Sequence, residues 1–524
     1  MTRLADRTGG AKGRNRALQQ NRSGAVEGVS SDDVLGMAGG AGLNLVGAAF
    51  SQLALFGIFV ILSRWLGTDD IGVYAEAFAF LSLLGVLALS GVQAGVTRFV
   101  ATDLAAGDRG AVRGTVRAGL ALTTASALLL AVLLCVTAPW LVEHAFHDPA
   151  LLLPLRCAAL TLPLATFMDT ALAATKGWRT MKAFALIGLL GEPAVRLGLT
   201  LVLVAAGQGL AGAMIAVLVS HTCGALLAAV ALRRMMGEPS GPPAYHISAL
   251  FRFSGPSWIA SLAATGLIWV DTVLLGILGT SADVGLYNVA TRLVTLATFV
   301  MVPVVASFGP RIADLSARGD TSTLARSYGL TTSWILRLSL PAFVLLLVYP
   351  HELLSLLGGN GFAVGATVTA ILAVGKLVDA GTGPCALMLL MTGRPKLVMI
   401  DNLVVLVLNI GLNLWLIPRY GIVGSAVAWA LSLGVVNLVR VAQVWLTMRM
   451  LPFDVGVTKG MAAGAAALAA ALAARHAVTG PASLLVGVMI LGMVYVGLVT
   501  AFGVTPEDRL VLRTLASRAI PRKA

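Results

Sequence analysis

The sequence predicts an all-α polytopic membrane protein of about 14 transmembrane helices, built as two pseudo-symmetric six-helix lobes plus two C-terminal helices. Three observations predict it. Of 524 residues, 58% are apolar and 12% charged, about half the charged share of a soluble domain, and mean hydropathy is +0.89. Apolar runs of the length a bilayer demands, about 20 residues, follow one another almost from end to end. The first half of the chain also returns, weakened, in the second.

The elements justify themselves in order. Residues 1–33 carry six positive charges (Arg3, Arg7, Lys12, Arg14, Arg16 and Arg22) and lack the apolar core and cleavage site of a signal peptide. They read as a disordered basic cytoplasmic tail, with Ser31 and Asp32 placed to cap the first helix. Spans are expected at 35–62, 72–97, 116–141, 151–174, 183–205 and 209–232, an N-lobe occupying 34–235. A cytoplasmic linker, 236–252, precedes spans at 254–277, 285–308, 328–349, 363–391, 398–417 and 421–445, the C-lobe of 253–447. Spans at 457–474 and 481–502 fill 448–503, and residues 504–524 form a second basic cytoplasmic tail. Pro163, Pro303 and Pro341 fall within spans, where proline kinks a helix. Gly39, Gly40 and Gly42 loosen the start of the first.

Charge orients these spans. Of 37 Lys and Arg, 29 fall in the tails and in alternate loops, and only Arg64, Arg419 and Arg475 in the loops between them. The other five, Arg156, Arg196, Arg292, Arg337 and Lys376, lie within spans. Lys and Arg collect on the cytoplasmic side, so both termini are expected inside the cell's inner (plasma) membrane, and an odd number of spans would break the alternation. The same bias accounts for the net charge of +13 better than nucleic-acid binding does, and no nucleic-acid partner is expected. Cys135, Cys157, Cys223 and Cys385 each sit in an apolar stretch, as small buried hydrophobes rather than a disulfide framework.

The duplication has an offset of 212 or 213. Leu66-Gly67-Thr68 with Gly72, Tyr74 and Ala77 recurs as Leu278-Gly279-Thr280 with Gly285, Tyr287 and Ala290. Gly209, Gly212 and Ser220 recur as Gly421, Gly424 and Ser432, and the basic turn Thr175–Arg179 as Thr392–Lys396. Both Leu-Gly-Thr copies fall on the outer side, so the repeat is parallel, with its axis along the membrane normal. Two such lobes around a midplane site make a transporter architecture.

The segment Ser63-Arg64-Trp65-Leu66-Gly67-Thr68 through Gly72-Val73-Tyr74 resembles the start of polysaccharide transporters in the multidrug/oligosaccharidyl-lipid/polysaccharide exporter superfamily. Asp271-Thr272-Val273-Leu274-Leu275-Gly276, Gly285-Leu286-Tyr287 and Leu416-Ile417-Pro418-Arg419-Tyr420-Gly421-Ile422-Val423-Gly424-Ser425-Ala426 are similar to further stretches of that family. The resemblance covers about 35–503. It implies a flippase that moves a polyprenyl-diphosphate-linked oligosaccharide, or a related cell-envelope glycan precursor, from the inner to the outer leaflet by alternating access. A cavity lined by spans one, two, seven and eight is implied as well.

Those are the spans that carry polar stripes. Ser254, Ser257, Ser261, Thr265, Asp271 and Thr272 share about a 120° sector of span seven, and Asn288, Thr291, Arg292, Thr295 and Thr298 do so on span eight. Glu76, Ser90, Thr97 and Arg98 align on span two; Asn44 and Ser51, with Gln52 adjacent, on span one. A charge within a span is costly and defaults to a functional candidate with a partner. Guanidinium binds diphosphate in bidentate fashion, so Arg292, with Arg64 and Arg98 near the ends of the N-lobe spans, is expected to attract that group. Asp271 and Glu76 are expected to pair with these arginines in alternation, a static Asp271–Arg292 bridge being the competing expectation. Asn44, Asn288, Ser257, Ser261 and Thr295 are expected to line the cavity walls. Glu192–Arg196 and Lys376–Asp379 have the spacing of intrahelical pairs. Asp169 and Asp271 are candidates for ion coupling, while Asp169, Asp401 and Arg337 show no local partner in the sequence.

Other classes fit less well. The nearest fragment to a Walker A loop, Gly375-Lys376, has Ala370 where the first glycine belongs and sits inside a span, so ATP hydrolysis, cofactors and metals are not expected. Glu143-His144-Ala145-Phe146-His147-Asp148 lacks a metalloprotease order and reads as a wet loop. A polyprenyl-dependent sugar transferase or ligase would need acid and base groups on a substantial outer loop, and the outer loops are short. Drug or cation antiport within the same superfamily would favour an acidic, aromatic cavity, against 6% aromatic residues here. The expected partners are the lipid-linked glycan, membrane lipids, and a polysaccharide polymerase or glycosyltransferases.

Overall fold

A computed structural model describes residues 31–237, 242–245, 247–299, 301–478, 480 and 482–501. The two expected tails, apart from 31–33, lie outside the described residues, as do 238–241 and 246 of the linker and the side chains of Ser31 and Asp32.

The described residues are helical with no strand, and the fold is an all-α polytopic membrane protein. The stretch expected to form the N-lobe holds α1 (Ser31–Trp65), α2 (Thr68–Leu89), α3 (Val92–Ala105), α4 (Arg109–Leu141), α5 (Leu152–Lys176), α6 (Glu192–Leu203) and α7 (Gly209–Met236). The stretch expected to form the C-lobe holds α8 (Ile247–Leu278), α9 (Ser281–Ala297), α10 (Met301–Arg318), α11 (Thr321–Val348), α12 (Pro350–Gly358), α13 (Ala366–Thr382), α14 (Cys385–Met391) and α15 (Pro395–Met448); α16 (Val455–Ala477) and α17 (Ala482–Ala501) follow. Side chains at the loops start several helices by accepting orphan backbone N–H groups. Asp108 caps α4, Asp320 caps α11 and Asp454 caps α16, while Thr280 and Asp283 form a reciprocal capping box at α9.

Eleven of the described helical segments are long and apolar enough to cross a membrane. Two of them, Phe184–Met236 and Pro395–Met448, are of 53 and 54 residues, far beyond one crossing at 1.5 Å per residue. Each folds back on itself. Ser220 donates to Glu192 at 3.0 Å, and Gln443 donates to Asp401 at 2.8 Å, which lays the two halves of each segment side by side. The turns sit at the repeated glycines, with nearly identical backbones: Gly209 at φ 53, ψ −138 and Gly421 at φ 55, ψ −134. Only glycine adopts that region without strain. Expected spans two and eight are each broken, at Ser90–Gly91 and at Thr298–Phe299.

The lobes meet in the reciprocal way that a two-fold demands. A Cβ on Gly72 would overlap the carbonyl of Ser281, and one on Gly285 would overlap the carbonyl of Thr68. Gly72 and Gly285 are repeat mates, and Thr68 and Ser281 each lie one helical turn before their glycine, so α2 and α9 cross at the closest approach two glycines permit. Nearby, Ser281 donates to Asp148 at 2.6 Å, Arg64 to the Leu356 carbonyl, and Arg475 pairs with Glu352 at 3.3 Å. These residues come from loops that the charge pattern places on one side. At the opposite end Arg98 lies 4.5 Å over the Phe253 ring, and the Ala244 N–H of the linker donates to the Gly110 carbonyl at 3.2 Å. One core spans both lobes, running through Ile58, Leu62, Tyr74, Val284, Tyr287 and Phe343. All four cysteines are free.

Candidate functional site

Between the lobes, α1, α2 and α8 bring four aromatic rings together. Tyr74 meets Phe59 edge-on at 6.0 Å and stacks with Phe78 at 6.2 Å, and Phe78 lies 5.4 Å from Trp269. The helical period does this: residues 74 and 78 are one turn apart on one face of α2. Two guanidiniums bracket the rings. Arg292 lies 5.0 Å over Phe59 and 5.1 Å over Trp269, and Arg196 of α6 lies 5.2 Å over Phe78.

The two arginines differ in what neutralises them. Arg196 pairs with Glu192 at 3.4 Å, the expected i,i+4 bridge, and Glu192 also accepts from Ser220 and faces His221 at 3.6 Å. Arg292 has no carboxylate partner among the described residues, and its Nε–H donates to nothing. It opens with Gln52, Leu55, Phe56, Thr295 and Phe299 onto a crevice of about 50 Å³ between α1 and the α9–α10 break. The Tyr74 hydroxyl is likewise buried without a partner. An unspent donor on a cation without a carboxylate partner suits an anion, and the rings hold the guanidinium plane in place.

Asp271 does not bridge to Arg292. Its two oxygens accept from Tyr287 Oη at 3.0 Å and Asn413 Nδ2 at 2.7 Å. Asn409, one turn from Asn413 on α15, leaves both polar side-chain atoms unpartnered, as does the Asn413 oxygen. The alternating pairs expected of Asp271 and Glu76 are absent from this state. Glu76 is fully buried near the α2–α9 crossing, where a Cβ on Gly276 would come 2.7 Å from its carboxylate, and neither of its oxygens has a hydrogen-bond partner.

The remaining candidates scatter. Arg64 sits at one end of the helices on the Leu356 carbonyl, and Arg98 at the opposite end over Phe253. Asn288 faces inward to the α8–α9 contact, donating to Thr272 at 3.2 Å and to the Val284 carbonyl at 3.0 Å. Thr295 lines the crevice with Arg292. Ser257 is half-buried and Ser261 exposed on α8, and Asn44 keeps an unpartnered oxygen on α1. Asp169 lies on α5 inside the N-lobe. Lys376–Asp379 closes at 3.1 Å as expected, whereas Asp401 finds Gln443 at 2.8 Å and Arg440 at 3.6 Å across its hairpin. Arg337 donates to Ser333 at 2.9 Å. Residues 143–148 belong to no cluster of metal-ligating side chains among the described residues; His144 stacks on Trp140 at 5.6 Å.

The aromatic ring set, the placement of Arg196 over Phe78 and the asparagines around Asp271 were not foreseen. One signal was available: Phe59 stands at the repeat position of Asp271, and Tyr74 at that of Tyr287. The two lobes therefore differ where their helices face each other, an aromatic wall in one and a buried carboxylate in the other.

Comparison with known proteins gives this geometry its relatives. The model of a family described as polysaccharide biosynthesis protein matches residues 38–316, more than half the chain, and the MatE family model matches 256–415. A probable low-salt glycan biosynthesis flippase of Haloferax volcanii is 28% identical over 187 residues, covering 36% of this chain. That match spans only 40% of the relative's own length. Among solved structures, a lipid II flippase in an inward closed conformation superposes with a TM-score of 0.71 at 11% identity, covering 87% of this chain and 98% of that one. An inward-facing multidrug resistance transporter gives 0.63 at 15% identity, covering 76% and 94%. At these identities the structural likeness concerns the fold.

Proposed function

The chain belongs to the polysaccharide biosynthesis protein family, and from that premise we propose that it is a flippase for a lipid-linked glycan. In this reading a polyprenyl-diphosphate-linked oligosaccharide enters between the lobes from the inner leaflet and leaves toward the outer one as the lobes rock. The observation that carries the reading is Arg292, a guanidinium braced between Phe59 and Trp269 with no acidic partner and an unused donor. It supplies the charge a diphosphate needs, and Tyr74 and Thr295 add hydroxyls beside it. The named glycan flippase among the relatives, and the flippase fold, support the same substrate class. Asp271, a buried carboxylate held by Tyr287 and Asn413, is our candidate for coupling to an ion. The basic face is assigned to the cytoplasm of the inner membrane by its charge. The work done is transport rather than catalysis, alongside polymerases or glycosyltransferases that make and consume the glycan.

Drug or cation antiport has one observation in its favour, the aromatic rings that a cation would seek. Two guanidiniums of the protein already occupy those faces, which disfavours a second cation there.

Depletion of the protein tests the reading, with rescue by wild type and by Arg292→Ala. One polyprenyl-diphosphate glycan is expected to build up on the inner leaflet and to clear with wild type. The variant, at normal abundance, is expected to clear it at least tenfold more slowly, the loss of one charge-assisted contact of roughly 1.5–3 kcal/mol. A flat lipid-linked pool with normal glycan at the cell surface sinks the flippase reading, and full rescue by Arg292→Ala sinks the role of that residue.

A further inference from the structure

At the basic end of the C-lobe, two adjoining cavities of about 400 and 380 Å³ share Arg449 and Met450. Arg394 lines the first and Arg326 the second. Arg449 ends α15 in a left-handed conformation, φ 55, and its guanidinium lies 4.9 Å over the Trp445 ring. Arg394 donates to the Thr392 hydroxyl at 3.1 Å. Asp454 lines the second cavity, but its carboxylate is committed to the Val457 N–H at 2.8 Å as the cap of α16. None of the three arginines has an ion-pair partner among the described residues.

The wall is apolar on one side. Trp445, Leu451 and Phe453 line the second cavity with 42–56% of their surface exposed, and Leu446 and Val455 are more exposed still. Paired guanidiniums recognise phosphate oxygens, and tryptophan beside arginine belongs at the level where helices leave the bilayer. A free phosphate would satisfy the arginines and leave the apolar strip bare. An amphiphile with a phosphate head and acyl chains covers both.

We infer that these two cavities bind the headgroup of an anionic phospholipid, its phosphate on Arg326, Arg394 and Arg449 and its chains along Trp445, Leu451 and Phe453. The site lies apart from the crevice at Arg292 and is independent of the flippase reading. A basic pocket between helices on the inner side is where anionic headgroups bind. An occupant there ties α10, α11, α14 and the end of α15 to the inner leaflet while the lobes move.

The test is native mass spectrometry of the full-length protein in detergent with added phosphatidylglycerol or phosphatidylcholine. Wild type is expected to retain phosphatidylglycerol preferentially. Arg326→Ala and Arg449→Ala should each weaken that retention about fivefold, roughly 1 kcal/mol per arginine at a membrane surface. Arg449→Lys keeps the charge and should keep most of the binding, which separates a lost contact from a lost fold. Phe453→Ser should weaken phosphatidylglycerol binding with no charge removed. Equal retention of the two lipids overturns the site. So does an equal loss from Arg179→Ala, a basic-loop residue outside the cavities, because the attraction would then be diffuse. Displacement by millimolar inorganic phosphate, equal in wild type and Phe453→Ser, would make it a free-phosphate site and overturn the lipid assignment.

Discussion

Arg292 and Asp271 lie 21 positions apart in the sequence and meet two different chemistries in the fold. Both are charges inside spans, and each has a costly group to stabilise. Arg292 solves it with ring faces, which attract a cation without neutralising it, so its charge remains available to a ligand. Asp271 solves it with donors, a phenol and an amide, so its hydrogen bonds are spent locally. Tyr287→Phe removes one of the two donors while keeping the ring. We expect it to lower stability by about 1–3 kcal/mol, the cost of stripping one hydrogen bond from a buried acceptor, read as a drop in the thermal midpoint in detergent. A midpoint equal to wild type would mean that Asp271 does not depend on that phenol.

At the level of the element, the seal between α2 and α9 is a contact between helix backbones rather than side chains. Gly72 and Gly285 let α2 and α9 touch where any Cβ would strike the opposite carbonyl, and packed backbones of this kind have little slack to share. Gly72→Ala should therefore hold the helices apart at the outer end without unfolding either, since alanine is the better helix former. Spin labels at Asp69 and Leu278, on opposite lobes beside the seal, should report a population at longer distance. An unchanged distance distribution would show that the seal tolerates the methyl and does not limit closure. Kinks are expected at prolines within spans, and the breaks of span two at Ser90–Gly91 and span eight at Thr298–Phe299 fall on no proline. In the first case both residues are left-handed, a tertiary demand of the tight α3–α8 packing at Gly91 and Ser254.

For the whole molecule, the ends of the helices sort into two groups that agree with the loop charges. Residues 64, 148, 281, 352 and 475 meet at one end, and residues 98, 110, 244 and 253 at the other. Single cysteines in a background lacking the four native ones test the orientation. Glu352→Cys and Arg475→Cys should react with an impermeant thiol reagent in intact cells, and Arg318→Cys and Arg449→Cys only after permeabilisation. The reverse pattern would invert the molecule and with it the proposed direction of transport.

The sequence by itself determined the architecture. Apolar run length, the 29-to-3 bias of Lys and Arg and the 212-residue repeat are one-dimensional signals, because bilayer thickness and charge placement act along the chain. It also foresaw the local pairs Glu192–Arg196 and Lys376–Asp379, since helical spacing alone brings them together. Tertiary structure alone decided which polar residues meet. Asp271 and Asn413 are 142 positions apart, and Arg292 reaches Phe59 across the lobe boundary. A stripe on one helix states which way a residue faces, and its partner depends on how far the facing helix slides and turns. Those rigid-body choices are made by close contacts such as Gly72 on Ser281: the chain shows a repeated glycine there, but which carbonyl it meets is decided only in the fold.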